Sequence, residues 1–192
     1  MRKTGGFATE QNVIKLLLQS ILFMQRLIIF ILFLSSVPNS QLSAQQAPCS
    51  TEAHAQFDFW LGDWTVYHPD EDTIVGNNII QKILNGCVVM ENWTGATGFE
   101  GKSFNTYNTR DSAWNQVWVD VSGATYHFKG KRKEGGMKMK GQTSGRDGTT
   151  ILFEMDYKPD PNSGDVRQTW RQSTDNGQNW TAIFDGIYKR KK

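Results

Sequence analysis

Beyond residue 60, hydrophobic and polar residues alternate with a period of two in short segments that are separated by turn residues. This alternation predicts half-buried β-strands. The gaps between segments carry tight-turn pairs such as Asn85-Gly86 and Gly135-Gly136, and they are too short for crossover helices. We therefore expect consecutive strands to pair antiparallel. The ten predicted strands are Trp64–His68, Asn78–Leu84, Cys87–Thr94, Lys102–Thr106, Ala113–Val121, Thr125–Lys129, Met137–Lys140, Thr150–Lys158, Asp165–Gln172 and Asn179–Tyr188.

A meander of about ten antiparallel strands leaves exposed edges unless it closes on itself. We therefore predict an all-β fold in which the meander closes into a barrel, as a single domain over residues 53–190. A two-sheet sandwich is the alternative. Residues 45–52 form a short N-terminal segment, and Ala53 to Trp60 suits a single helical turn before the first strand.

Residues 1–44 are predicted to be a leader. Arg26 is followed by the apolar run 27–34 and then by small and polar residues, a pattern typical of a signal peptide with cleavage after Ala44. Translation starting at Met24 fits the same pattern. The competing interpretation is a membrane anchor with Arg26 near its middle, at a cost of roughly 2.5–3.5 kcal/mol. We expect a secreted or periplasmic protein with no stable membrane span after cleavage.

Charge and cysteine content narrow the partners and the compartment. Without the leader, the chain keeps 17 of its 21 basic and 18 of its 19 acidic residues, a net charge of about −1. This balance lacks the basic character of a nucleic-acid binder. In an oxidising compartment, Cys49 and Cys87 are expected to form a disulfide that ties the mature N-terminus to the barrel.

Several short motifs resemble known families. Gly62-Asp63-Trp64 resembles the Gly-x-Trp opening of lipocalins and of the wider calycin barrels. The longer stretch 56–66, with the Phe-Asp-Phe-Trp-x-Gly-x-Trp opening, resembles a family of uncharacterised secreted bacterial proteins classed as a domain of unknown function. Further matches follow in order: Asn85-Gly86-Cys87 with Glu91 and Trp93, Gly101-x-Ser103-x-Asn105-x-Tyr107, Trp114-x-Gln116-x-Trp118-Val119-Asp120, and Val166-Arg167-Gln168.

The resemblance spans most of residues 49–188 and implies a lipocalin-like barrel without a settled activity. The chain departs from the family in the eighth strand, where Phe153 to Tyr157 replaces an Arg-x-x-Trp-like segment, so a basic group there is not carried over. Haem-binding nitrobindin-like barrels use a histidine near the C-terminus, whereas no histidine lies beyond His127. We therefore predict no cofactor.

The central strands place polar residues among apolar ones on the same face. Tryptophan alternates with amides and acids on one side of the third and fifth strands. If that side is luminal, it forms a cavity with aromatic walls and a few polar anchors, as small-molecule sites have. Arg167 or Arg171 is expected to supply the counter-charge for a buried carboxylate. The candidate ligand-binding residues are Glu91, Trp93, Ser103, Asn105, Tyr107, Gln116, Trp118, Asp120 and Arg167.

Other interpretations of this face stay open. The same residues could lie outside the barrel or form a closed internal network without a ligand, because a one-residue slip in register exchanges the faces. The seven tryptophans are also typical of ordinary core packing.

Three functions follow from these alternatives. The first is binding of a small hydrophobic or aromatic molecule in the lumen. The second is an enzyme on the same barrel that uses Glu91 and Asp120 as acid and base. The third is a structural or accessory secreted protein with a packed barrel. No oligomeric state is indicated.

No reaction-specific motif stands out in the chain. His54, His68 and His127 lie on separate predicted elements, so we predict no metal site. Residues 173–180 resemble the Asp-box of sialidase-type propellers, but they occur once. We expect this segment to stabilise a hairpin, with Asp175 as a turn residue.

Overall fold

The computed structural model describes residues 15–27 and 47–191. Residues 47–191 contain a closed barrel in which each strand pairs antiparallel with its neighbours and β1 pairs with β10. The prediction of an all-β, ten-stranded closed barrel is confirmed, and the sandwich is excluded. The strands are β1 Gly62–Tyr67, β2 Ile74–Ile83, β3 Val88–Gly95, β4 Glu100–Asn108, β5 Ala113–Asp120, β6 Thr125–Lys133, β7 Gly136–Ser144, β8 Thr150–Pro159, β9 Val166–Ser173 and β10 Thr181–Arg190.

Several strands extend beyond their predicted bounds. β2 begins at Ile74 rather than Asn78, and β7 reaches Ser144 rather than ending at Lys140. Both extensions pass through a glycine that breaks the alternation. At Gly141, a Cβ would lie 2.3 Å from the carbonyl oxygen of His127, so the close approach of β6 and β7 requires glycine there.

The register turns the tryptophan side of the central strands into the lumen. Ser103 lies opposite Trp118 and Asn105 lies opposite Gln116 across β4 and β5. Paired residues share one face of a sheet, and all four are buried. The outer neighbours Phe104 and Val119 are exposed, so the strands alternate as a barrel requires.

One end of the barrel is closed by the segment ahead of β1. The helical turn expected there is present as two 3-10 turns, Glu52–Ala55 and Asp58–Trp60. Phe57, between them, is fully buried and stacks on Trp60 at 5.1 Å between ring centroids. Its ring also meets Trp114 and Tyr157 edge-on at 5.5 and 5.0 Å. These contacts fill the half of the lumen next to the closing segment, here called the closed half.

Covalent and polar contacts hold this closing segment in place. The expected disulfide between Cys49 and Cys87 is present and joins the segment to the 3-10 turn Leu84–Gly86 ahead of β3. Arg190 lies with its guanidinium carbon 4.4 Å from the centre of the Trp64 ring and donates to the carbonyl of Leu61 at 3.0 Å. The last strand is thereby fastened to the start of the first.

The hairpin loop between β9 and β10 has the role expected for the single Asp-box. The Asp175 carboxylate accepts hydrogen bonds from Ser173 Oγ at 2.7 Å and from the backbone N–H of Asn179 at 2.9 Å. Trp180 donates from its indole N–H to the carbonyl of Gly177 at 3.1 Å. The turn N–H from Asn179, together with Ser173 and the Asn179 side chain, lowers the pKa of Asp175 to about 2.

Residues 15–27 form a helix. The predicted cleavage position at Ala44 and the apolar run beyond residue 27 lie outside the described residues. Among the helices that the structure describes, none has the length and apolar character needed to cross a membrane.

Candidate functional site

The other half of the lumen, here called the open half, contains a cavity of about 400 Å³ that opens at the end opposite the closing segment. The connections β3–β4 and β5–β6 border the mouth, where Thr97, Phe99 and Asp120 contribute to the lining. Edge-on contacts order the aromatic walls, as between Tyr126 and Trp170 at 5.0 Å and between Trp93 and Phe184 at 5.5 Å. The aromatic wall residues are Trp93, Trp118, Tyr126, Trp170 and Phe184.

Two glycines keep this cavity open by letting indole rings lie flat along the wall. A Cβ at Gly101 would lie 2.2 Å from the Trp118 ring, and a Cβ at Gly76 would lie 2.5 Å from the Trp93 ring. Real Cβ atoms do not approach so closely, so any side chain at either position would push an indole inward. The absence of these two side chains leaves space in the lumen.

The floor of the cavity is built around the buried carboxyl group of Glu91 on β3, which is 2% exposed. Its two oxygens accept hydrogen bonds from Asn78 Nδ2 at 2.7 Å and from Ser103 Oγ at 2.6 Å. Ser103 Oγ in turn accepts from Asn105 Nδ2 at 2.9 Å and from Gln116 Nε2 at 3.3 Å. Strands β2 to β5 thus contribute to one polar cluster.

A second set of polar groups completes the floor from the opposite wall. Gln116 Nε2 and Gln168 Nε2 both donate to the Tyr157 hydroxyl, at 3.0 and 3.3 Å. The Tyr188 hydroxyl donates to Gln168 Oε1 and accepts a long contact of 3.4 Å from Asn78 Nδ2. The network therefore spans the lumen from β2 to β10.

Some buried polar atoms of this region have no hydrogen-bond partner within residues 15–27 and 47–191. They are the carbonyl oxygens of Asn78, Asn105 and Gln116 and, in the wall, the indole nitrogen of Trp170. Buried polar groups are satisfied in the great majority of proteins, so unpaired ones at a cavity call for an explanation. Gln116 and Trp170 line the cavity directly.

The two acids of the lining have different electrostatic surroundings. Burial raises the pKa of Glu91 to about 7, against the opposing hydrogen bonds from Ser103 and Asn78. Asp120 lies at the rim, where the raising effect of burial on its pKa is outweighed by hydrogen bonds from Ser122 and Trp118, so that its pKa is lowered. Glu91 can therefore change charge near neutral pH, whereas Asp120 stays ionised.

The structure brings together most of the residues predicted from the sequence. Glu91, Trp93, Gln116, Trp118 and Asp120 line the cavity. The remaining predicted residues lie elsewhere, some in contact with the floor and some apart from it.

Ser103 and Asn105 lie behind the floor and support Glu91. Tyr107 is luminal but belongs to the closed end, where it contacts His54 and Trp114.

Arg167 does not supply the counter-charge that the sequence predicted. Its side chain is on the outer face of β9 and forms a two-pronged ion pair with Asp185, at 2.9 and 2.7 Å. Arg171 likewise pairs outside the barrel, with Glu154 at 2.8 Å. The inner positions of β9 are taken by Val166, Gln168 and Trp170, so the two arginines must alternate outward.

Sequence analysis missed several groups of the floor and wall. Gln168 and Trp170 alternate with apolar Val166 on one face, the same signal that identified Gln116 and Trp118. Asn78 occupies the corresponding position between Gly76 and Ile80 on β2. No comparable signal in the sequence indicated a role for the hydroxyl groups of Tyr157 and Tyr188, because the sequence pattern around both residues is typical of core aromatic residues.

No protein-family model matches the chain, and neither does any curated protein.

Proposed function

We propose that this protein is a lipocalin-like carrier that binds a small, partly apolar molecule in the open half of its barrel. The supporting observation is the cavity of about 400 Å³, whose aromatic walls stand over a buried polar floor. Small-molecule sites combine these two features, and their volumes are roughly 300–1,000 Å³. This cavity is near the small end of the range, which favours a compact ligand.

The wall construction supports a binding role over a packed structural role. A barrel made only to fold would fill its lumen with apolar side chains, as the closed half is filled by Phe57, Trp60, Met137 and Met139. In the open half, Gly76 and Gly101 hold two indoles against the wall, and Gln116 and Trp170, which line the cavity, each have a polar atom without a partner among the described residues. A bound molecule would supply contacts for both.

Two measurements test the proposal. Organic extracts of the purified protein are analysed by mass spectrometry for a co-purified compound, and tryptophan fluorescence is recorded against a library of lipids, haem and aromatic acids and amines. We expect a bound compound or a saturable fluorescence change. An empty extract together with unchanged fluorescence throughout the library would refute the carrier.

A matched pair of variants localises the binding. Gly101→Leu should displace the Trp118 ring into the lumen and abolish the fluorescence response, because its Cβ alone would overlap the ring. Val119→Leu, on the exposed face of β5, adds bulk outside the barrel and should leave the response unchanged. Equal responses from both variants would place the bound molecule outside the lumen.

A second function is favoured by the pKa of Glu91 alone. A carboxyl group that titrates at about 7 can act as a general acid or base near neutral pH, with Asp120 as a permanently ionised partner at the rim. Under this alternative, Glu91→Gln should abolish turnover of a bound compound while affinity for a neutral ligand survives. Turnover retained by the variant would exclude Glu91 as the acid or base.

A further inference from the structure

Hydrogen-bond acceptors outnumber available donors in the polar network at and behind the floor of the cavity. The donor groups of Asn78, Ser103, Asn105 and Gln116 are all used within the network. The carbonyl oxygens of Asn78, Asn105 and Gln116 have no partner among the described residues, and of these three residues Gln116 lines the cavity. Gln116 is 1% exposed and lines the cavity, so its side chain borders any molecule bound in the lumen.

The charged groups of the cavity lining are all acidic. Its charged groups are Glu91 at the floor and Asp120 at the rim, and the lining contains no lysine, arginine or histidine among the described residues. The arginines of β9 are paired with outer-face acids. An ionised Glu91 in this setting receives two hydrogen bonds but no compensating positive charge, which is an unfavourable state for a buried carboxylate.

The walls are suited to a cation as well as to an aromatic ring. Indole and phenol faces attract ammonium groups by roughly 0.5–2 kcal/mol each, more when the site is desolvated. A planar ring can also pack against the same side chains in edge-on or offset geometry. The unpaired donor of the wall, Trp170 Nε1, belongs to a residue nearer the mouth than Gln168, away from the acceptor-rich floor.

We infer that the ligand is a small aromatic cation whose ammonium group lies at Glu91 and the Gln116 carbonyl, with its ring between the aromatic walls. This inference rests on the proposed luminal binding and names the ligand class for it. A primary ammonium supplies three donors and one positive charge, which are the two features that the floor lacks. A carboxylate ligand would meet two acids and the Gln116 carbonyl oxygen instead.

Binding of such a cation should be linked to ionisation of Glu91. The other titratable groups that face it are Tyr157 and Tyr188, whose pKa values burial raises well above their usual range, and Asp120 at the rim. The tyrosines stay neutral and Asp120 stays ionised between pH 5.5 and 8.5. Glu91 is therefore the one lining group, among the described residues, that changes charge over this interval.

The test uses three probes that share one ring and differ in charge: tryptamine as the cation, indole-3-ethanol as the neutral analogue and indole-3-acetate as the anion. Dissociation constants are measured by isothermal titration calorimetry at pH 5.5 and 8.5. We expect tryptamine to bind most tightly. Its affinity should rise about thirtyfold from pH 5.5 to 8.5, because roughly 3% of Glu91 is ionised at the lower pH and nearly all at the higher.

The variants separate the role of the carboxylate from that of the cavity. Glu91→Gln should weaken tryptamine at pH 8.5 by at least tenfold and remove the pH dependence, while affinity for indole-3-ethanol is retained. Glu154→Gln removes one acid from the outer face of β8 and should leave all three affinities unchanged. The pH series on the unaltered protein provides a test that depends on no variant.

The outcomes distinguish this inference from the proposed carrier. If indole-3-ethanol or indole-3-acetate binds as tightly as tryptamine at pH 8.5, the cation preference is wrong and luminal binding stands. A tryptamine affinity that does not change with pH overturns the role of Glu91. If none of the three binds, the inference fails, whereas the carrier is refuted only by an empty extract together with unchanged fluorescence throughout the library.

Discussion

Glu91→Gln should stabilise the protein at alkaline pH, because the buried carboxyl group opposes folding when it is ionised. Its pKa is about 7 in the folded state and 4.5 as the ordinary value. Each pKa unit corresponds to about 1.4 kcal/mol, so the difference is about 3 kcal/mol of unfolding free energy. Gln cannot titrate, so this contribution is absent from the variant.

The sign follows from proton binding in the two states. Below pH 4.5 the carboxyl group is protonated in both states and contributes no pH dependence. Between pH 4.5 and about 7 the folded state keeps a proton that the unfolded state has lost, so the free energy of unfolding falls as pH rises. Above about pH 7 the loss is complete. The advantage of the variant over the unaltered protein should therefore grow from pH 4.5 to 7 and then stay constant.

Local geometry permits the substitution. The new amide nitrogen would face either Asn78 Nδ2 or Ser103 Oγ, and a flip of the Asn78 amide would present its unpaired Oδ1 as an acceptor. Hydrogen bonding at the floor can thus be kept while the charge is removed.

Urea unfolding followed by tryptophan fluorescence at pH 4.5, 6, 7 and 8.5 measures the effect. The free energy of unfolding falls with urea by roughly 1–3 kcal/mol/M. The difference in unfolding midpoint between the variant and the unaltered protein should therefore increase by about 1–3 M urea from pH 4.5 to pH 8.5. Glu154→Gln, on the outer face, is the reference for losing one carboxylate away from the lumen. A constant difference between Glu91→Gln and the unaltered protein over the whole pH range would refute a buried, neutral Glu91.

Three further predictions concern the closed end and the outer face. Reducing the Cys49–Cys87 disulfide, which closes a separation of 38 residues, should lower the free energy of unfolding by about 4 kcal/mol in a urea titration with and without reductant. Phe57→Ala should cost about 3–5 kcal/mol in the same assay, because the ring is fully buried among four aromatic neighbours; a loss under 1 kcal/mol would mean that the closing segment is loosely packed. Arg167→Gln should leave ligand affinity unchanged by calorimetry, since the guanidinium pairs with Asp185 outside the barrel, and a tenfold loss would contradict that placement.

The barrel could be predicted from the sequence because its signals are local. Alternation identifies strands, and turn pairs such as Asn85-Gly86 leave no room for crossovers, so antiparallel closure follows. The bounds of β2 and β7 were wrong where Gly76 and Gly141 interrupt the alternation. Ladder hydrogen bonds continue through a glycine even though its side-chain signal is missing.

The candidate site was predicted only in part. The errors concern the face of the strand on which a residue lies and its position along the barrel axis. Arg167 was assigned to the site by charge, yet it is one residue out of phase with Trp170, and the alternation of β9 alone places it outside. Tyr107 has the correct parity, but it lies near the closed end of β4. Depth along a barrel depends on which end the N-terminal segment enters, and alternation carries no information about that.

The two halves of the lumen contribute to the free energy of folding with opposite signs. The closed half concentrates aromatic contacts and the disulfide, which together contribute several kcal/mol to stability. The open half contains a carboxyl group that opposes folding by about 3 kcal/mol once ionised, together with unpaired carbonyl oxygens. A barrel without a ligand would gain stability from replacing Glu91 by an apolar residue, since nothing in the described lumen neutralises it. A cationic ligand would offset that same unfavourable energy on binding. The buried acid at the floor is therefore explained by a role in binding such a ligand.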